Sequence, residues 1–448
     1  MSRLDARRLD REIVRLAWPA FLALIAEPLF LLSDAAIVGH LGTPQLAGLG
    51  IAGVVLQTVV GLCIFLAYGT TASVARHLGA GDRRRALEQG VDGLWLAVVI
   101  GVLATLAGVL LTGPLVGAFA VSDAVAEQAR IYLRLAFLGT TPLLVMLAAT
   151  GVLRGLQDTR TPLVVAVVGN ALNIVLNLTL VYGAGPLPRL GIAGSALGSV
   201  LAQVLSAAAL LAVVVRGARG EGASLRPDLV GIRAAAHAAV ALVIRTLTLR
   251  AALIVTTYAV VLATAGDDSA VAAHQLAFTI WGFLAFVLDA IAIAAQALTG
   301  RYLGAGDGHT ARAVTERMIR WGALSGVATG VLLAAASPVL GVLFTPDPDV
   351  RALLTPVLLV AALGQPVAGV VFVLDGVLIG AGDGSYLAKA GLLVLVVYAP
   401  VVLAVAATVT AHGLLWVWVA FGGLFMVARA VVLLRRERGD AWLVLGAR

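Results

Sequence analysis

Apolar runs of roughly 20 to 30 residues, separated by short polar breaks, recur along the whole chain. They lie near 12–38, 46–75, 90–118, 125–152, 160–185 and 191–216, and again near 235–264, 271–300, 316–344, 351–380, 385–409 and 411–434. A helix needs about 20 apolar residues to cross the hydrocarbon core of a bilayer, whereas a membrane-spanning strand needs only about 10. The pattern therefore predicts an all-α integral membrane protein with twelve transmembrane helices. The longest polar interior stretch, "RGARGEGASLRPDLVGIR", falls between the sixth and seventh runs. It divides the chain into an expected six-helix lobe over 1–217, a cytoplasmic linker over 218–234, and a second six-helix lobe with a short cytoplasmic tail over 235–448.

The two sets of six are repeats. "RHLGAGD" begins at Arg76 and "RYLGAGD" at Arg301, a displacement of 301 − 76 = 225 residues. The same displacement pairs Ala47 with Ala272, Phe119 with Phe344, Gly139 with Gly364, and "TGVLRGLQD" from Thr150 with "DGVLIGAGD" from Asp375. Six spans per repeat is an even number, so both lobes have the same orientation, related by a pseudo-symmetry axis along the membrane normal.

Composition agrees with this pattern: 61% of residues are hydrophobic and 12% charged, with a mean hydropathy of +1.02. Soluble domains carry about 25% charged residues. The formal charge of +7 is held by arginines in alternate short loops and at both ends, including Arg3, Arg7, Arg83, Arg84, Arg154, Arg219, Arg312 and Arg435. That distribution predicts cytoplasmic termini and gives no reason to expect a nucleic-acid partner. The first dozen residues are too charged for a cleaved signal peptide. Cys63 is the one cysteine, which excludes a disulfide within the chain.

Carboxylates within apolar spans are costly, about 2.5–3.5 kcal/mol on insertion scales, so they are functional candidates. Glu27 and Asp34 lie seven residues apart, two turns of helix, and are expected to share one face. Pro19 and Pro28 remove hydrogen bonds from the same helix and favour bending. In the fifth span Asn170, Asn173 and Asn177 form a stripe that requires partners. In the second half Asp289, Gln296 seven residues later, and Asp375 are further candidates. Arg245 is expected to snorkel to the interface, Arg250 is left unassigned, and His274 is expected to pack within its own half. The "GAGD" turns lack a phosphate-loop ending, and no signature of nucleotide binding, metal ligation or covalent catalysis is present. The chain is not expected to be an enzyme.

The segments "DAAIVGHLGTPQLAGLGIA", the paired "LGAGD" turns, "GVLRGLQDTRTP", "NIVLN", "GIAGSALGS" and "AAHQLAF" together resemble the multidrug and toxic compound extrusion (MATE) family, in particular its DinF-like branch. The resemblance implies a V-shaped pair of lobes exporting organic cations and amphipathic drugs in exchange for inward H⁺ or Na⁺. It matches Asp34 to the family's first-helix aspartate, Pro19 to the proline at which that helix bends, and Asn173 to the fifth-helix asparagine of the proton site. Asn177 stands where many prokaryotic members carry an aspartate, and Glu27 is the candidate substitute. Asp375 matches the tenth-helix aspartate of another branch. That branch's seventh-helix glutamate is missing here, which favours H⁺ over Na⁺.

The resulting expectation is a proton-coupled drug antiporter, monomeric, in the inner membrane of a bacterium. It would need no cofactor or metal beyond H⁺ as coupling ion, and its partners would be drug-like small molecules and the lipid bilayer. A lipid-linked oligosaccharide flippase and a Na⁺-coupled antiporter are the alternatives.

Overall fold

The computed structural model describes residues 3–183, 188–409 and 411–447, with side chains from residue 7 onward at the N-terminal end. Among them are twelve helices long and apolar enough to cross a membrane, and no β-strand. They are α1 (Arg3–Gly39), α2 (Thr43–Gly79), α3 (Arg83–Gly117), α4 (Asp123–Gly155), α5 (Arg160–Tyr182) and α6 (Ile192–Gly220). The second set is α7 (Leu229–Ala263), α8 (Asp268–Gly304), α9 (Gly308–Phe344), α10 (Pro348–Gly380), α11 (Gly384–Thr408) and α12 (Gly413–Arg438). The twelve expected spans are all present. A 3₁₀ turn interrupts α4 at Phe137–Gly139, and a π-helical turn interrupts α12 at Ala420–Met426.

The repeat is visible in backbone conformation as well as in letters. Gly81 and Gly306, related by 225 residues, both adopt left-handed φ values, 79° and 75°. The aspartates that follow cap the next helices in the same way: Asp82 accepts from Arg85 N at 2.9 Å and Asp307 from Thr310 N at 2.9 Å. The Thr310 hydroxyl and amide hold the Asp307 carboxyl below the usual carboxylate range. Gln157 and Gly382 form a second such pair, with φ of 65° and 72°. A non-glycine residue is uncommon there. Its conformation is retained because the turn after α4 repeats the turn after α10.

Cα packing divides the chain into two compact units, and both cuts fall inside helices. One unit is built on Trp18–Ala239; the other takes Val240–Gly446 together with the described part of Met1–Ala17. This differs from the expected boundaries at 217 and 235. The linker between α6 and α7 shrinks to 221–228, because both flanking helices continue into what reads as polar sequence. The start of α1 groups with the second half through polar contacts that hydropathy does not reveal. Asp10 accepts from Arg317 Nε and Nη2 at 2.7 and 2.6 Å and from Trp321 Nε1 at 2.8 Å. Tyr302 donates to Glu12 at 2.9 Å.

Within the second unit, α9, α10 and α8 pack backbone to backbone. A Cβ at Gly369 of α10 would lie 2.0 Å from the Gly322 carbonyl oxygen of α9, and one at Gly376 would lie 2.3 Å from the Ala292 oxygen of α8. Helices in lipid gain little from the hydrophobic effect, so such close approach supplies the van der Waals contact that holds them.

Candidate functional site

In the unit built on Trp18–Ala239, four helices converge on Asp34. Its carboxylate is 3% exposed. Oδ2 accepts from the Tyr132 hydroxyl of α4 at 3.0 Å. Oδ1 accepts from Asn177 Nδ2 of α5 at 2.9 Å and from the Ser195 hydroxyl of α6. Asn177 Nδ2 also reaches Asn173 Oδ1 at 3.3 Å, and Asn173 Nδ2 donates to Ser199 Oγ at 3.1 Å. The spacing explains the convergence. Asn173 and Asn177 are i, i+4 on α5, and Ser195 and Ser199 are i, i+4 on α6, so each pair stacks on one face.

Gly198 makes room for this arrangement: a Cβ there would lie 2.1 Å from Asn177 Oδ1. Gly198→Ala is therefore expected to displace the Asn177 amide from Asp34, with transport falling at least about tenfold, the equivalent of one hydrogen bond to a charged group. Transport per folded molecule in proteoliposomes checks this; wild-type rates in a well-expressed variant would refute it.

The three groups that touch Asp34 are neutral donors, the set an ionised, acceptor-only carboxylate needs. Asn177 Oδ1 is buried without a hydrogen-bond partner. An acceptor thus stands beside the carboxylate on an amide that can rotate to present either end. Protonating Asp34 would turn one of its oxygens into a donor, and the Asn177 oxygen is the nearest group suited to receive it.

Glu27 does not join this cluster, contrary to the shared face expected of it. It is exposed, and among the described residues it has no hydrogen-bond or ion-pair partner. The two acids straddle Pro28, where the helical hydrogen-bond ladder is interrupted. At that level the inward-facing residue is Ala26, whose carbonyl accepts from Asn170 Nδ2 at 2.6 Å. Asn170 thereby ties α1 to α5 and is separate from the Asp34 network. Pro19 lies inside α1 next to the cut between the two units.

The second unit holds a different site. Asp375 of α10 accepts on Oδ2 from Arg245 Nη2 of α7 at 2.6 Å and from Arg429 Nη2 of α12. Arg245 is therefore an internal ion-pair partner and does not snorkel as expected; a carboxylate within reach in an apolar interior outweighs the interface. Arg250 is exposed. Asp289 is half-buried and Gln296 buried on α8.

At the positions displaced by 225 from Asp34 and Asn177, the second half carries Ala259 and Val402, both buried. Asn173 maps to Tyr398, whose hydroxyl meets Thr256 Oγ1 at 2.7 Å. His274 packs in its own half, as expected. It accepts on Nδ1 from Trp418 Nε1 at 3.2 Å, which leaves Nε2–H to donate to Thr257 Oγ1 at 3.1 Å. Its ring sits against Phe278 and Trp418.

Sequence reading missed Tyr132, Ser195, Ser199 and Arg429. The i, i+4 serines of "GSALGS" and the lone arginine inside "FMVARAVVLL" were available signals. Tyr132 carried none.

The MatE family model matches residues 19–179 and 238–405. The chain is 32% identical over 438 residues to Protein DETOXIFICATION 44, chloroplastic, of Arabidopsis thaliana, covering 95% of this chain and 81% of that protein. It is 26% identical over 352 residues to the probable multidrug resistance protein NorM of Thermotoga maritima, covering 77% and 74%. Among solved structures, the outward-facing conformation of a multidrug resistance MATE family transporter of the MOP superfamily aligns with a TM-score of 0.87 at 22% identity, over 97% of this chain and 96% of that one. A family model matched over both halves, and a relative of this identity over nearly the whole chain, place the protein: it belongs to the MatE family of multi-pass membrane transporters.

Proposed function

We propose that the protein is a secondary active exporter of organic cations or amphipathic drug-like molecules, driven by inward H⁺ movement through alternating access. The observation that carries this reading is the Asp34 site, a buried carboxylate held by neutral donors alone. With no basic side chain among the described residues touching it, its charge depends on which side of the membrane it communicates with. Exposed to the cytoplasm, Asp34 gives up its proton and accepts from Tyr132, Asn177 and Ser195. Open to the outside, it is reprotonated, its new O–H turns to the Asn177 oxygen, and the hydrogen bonds joining α1 to α4, α5 and α6 rearrange.

Family membership supports drug export, and the names of the multidrug resistance relatives point the same way. The arginine-bearing alternate loops support cytoplasmic termini in a bacterial inner membrane. Asp375, already engaged by two guanidiniums, is a poor cation ligand, which favours H⁺ over Na⁺ as coupling ion. No cofactor is required by this scheme, and a single chain suffices for it.

Proteoliposomes test it. Adding ethidium to vesicles loaded with a pH indicator is expected to release protons in proportion to substrate, equally with and without Na⁺. Transport that requires Na⁺, or that moves no protons, would overturn the proposal.

A further inference from the structure

In the unit built on Trp18–Ala239, an apolar layer one helical turn deep seals one side of the Asp34 network. α1 and α5 end, and α4 and α6 begin, on that side of the lobe. One turn toward it from Asp34 is Val38, and from Asn177 is Val181, each four residues on. From Tyr132 and Ser195 it is Ala129 and Ile192, each three residues back. Val38, Ala129 and Val181 are 0% exposed and Ile192 is 4% exposed. Each of the four helices that build the site thus follows its polar group with a buried apolar one at a common level.

Over this layer lies a cavity of about 330 Å³. Its polar lining comes from Gln45, Gln128 and Arg189, and Leu41, Ile131 and Ile192 are among its apolar walls. Ile192 belongs to both the layer and the cavity, Gln128 precedes Ala129, and Leu41 follows Val38 by less than a turn. Arg189, the one charged lining residue among those described, is exposed. Hydrogen bonds at the helix ends hold the layer shut. Gly191 N–H donates to the Val181 carbonyl at 3.2 Å, joining α6 to α5. The Tyr182 hydroxyl donates to the Ile37 carbonyl at 2.7 Å, joining α5 to α1.

We infer that Val38, Ala129, Val181 and Ile192 form a hydrophobic gate, through which protons pass from this cavity to Asp34 only when the layer is wetted. Protons travel along chains of hydrogen-bonded groups, and these four side chains supply no donor or acceptor. One turn of helix rises about 5.4 Å, too far for a direct transfer. Hydrophobic constrictions of this kind gate by dewetting. Here the layer is dry and Asp34 is 3% exposed, so the carboxylate is cut off from the cavity. The inference rests on the proposed H⁺ coupling at Asp34 and supplies its outward step. Parting α1 from α5 at the Tyr182–Ile37 contact admits water, and a hydronium ion in the cavity then passes its proton to the carboxylate and is left as water. A layer that stayed wet would keep Asp34 in contact with the cavity throughout the cycle and let protons leak without substrate.

Proteoliposomes of the full-length protein, loaded with a pH indicator, test the gate without substrate: the medium is acidified and the fall in internal pH is followed. Ile192→Thr and Val181→Thr each place a hydroxyl in the layer with little change in size. Val214→Thr makes the same change at a buried position near the other end of α6. Val214→Thr is expected to acidify at the wild-type rate, and Ile192→Thr and Val181→Thr at least about fivefold faster, as wetting the constriction requires. Adding Asp34→Asn to either should return the rate to that of wild type, because the leak runs through the carboxylate. If one of the two fails to fold, the other decides. Wild-type rates in the folded layer variants, a leak that survives Asp34→Asn, or an equal leak in Val214→Thr would overturn the inference. Ethidium-driven proton release in the same vesicles keeps the two readings apart. Release by wild type beside layer variants that do not leak overturns the gate alone, whereas no release by wild type overturns the coupling on which the gate rests.

Discussion

An Asp34→Asn protein is expected to fold, reach the membrane and fail to couple export to a pH gradient. Asparagine has nearly the volume of aspartate, so the packing of α1 against α4, α5 and α6 survives. Two of the three groups on Asp34 are hydroxyls, Tyr132 and Ser195, and a hydroxyl can accept as readily as it donates. They can turn to receive the new amide, which limits the loss of stability to about 1–3 kcal/mol for weakened charged hydrogen bonds. What cannot be recovered is a proton-binding group. Gradient-driven accumulation of ethidium should drop to the level of empty vesicles, whereas facilitated leak is allowed to remain. The measurement is uptake into inverted vesicles with and without an imposed pH gradient, alongside the unfolding temperature. Wild-type, gradient-dependent uptake by a folded Asp34→Asn protein would remove Asp34 from the mechanism.

The second large effect concerns stability. Asp375→Leu leaves Arg245 and Arg429 facing each other without the carboxylate that holds both. Removing one partner from a buried ion-pair network costs about 3–5 kcal/mol, because the remaining charge loses its compensation while staying desolvated. Low yield and a strongly lowered unfolding temperature are expected. Arg429→Leu should cost less, since Arg245 and Asp375 remain as a balanced pair. Replacing all three by Met, Leu and Met should fall close to wild type or above it, as buried ion pairs exchanged for apolar residues of similar volume often do. The order of the three unfolding temperatures is the diagnostic. An Asp375→Leu protein as stable as wild type would show that the triad contributes nothing to folding.

Much of the candidate site was legible because lipid makes polar residues conspicuous. Asp34, Asn173, Asn177 and Asp375 stand out in apolar runs, and the structure brings the first three together on adjacent helices. Glu27 stood out for the same reason yet lies outside the network. Periodicity along a helix gives relative angle, but it says nothing about what faces each turn, and Pro28 lies between the two acids. Tyr132 was invisible because it lies in "ARIYLRLA", an ordinary amphipathic segment where an aromatic residue raises no question. Arg245 was misread because an arginine ten residues from the expected start of a span has a side chain long enough to reach for water. Its carboxylate is 130 residues away in sequence.

The sequence by itself determined the number of spans, their approximate ends and the duplication. Each is a local or periodic property: length against bilayer thickness, turn residues against helix ends, and one displacement repeated. Only the tertiary structure decided which polar groups meet. It selected Tyr132, Asn177 and Ser195 for Asp34, left Glu27 outside, and set two arginines on Asp375. It also cut the units inside α1 and α7 rather than at the polar linker. The physical reason is the same in each case. Hydropathy records the cost of placing a residue in lipid, but the partners that offset that cost come from helices far away in sequence, through packing that no local pattern encodes.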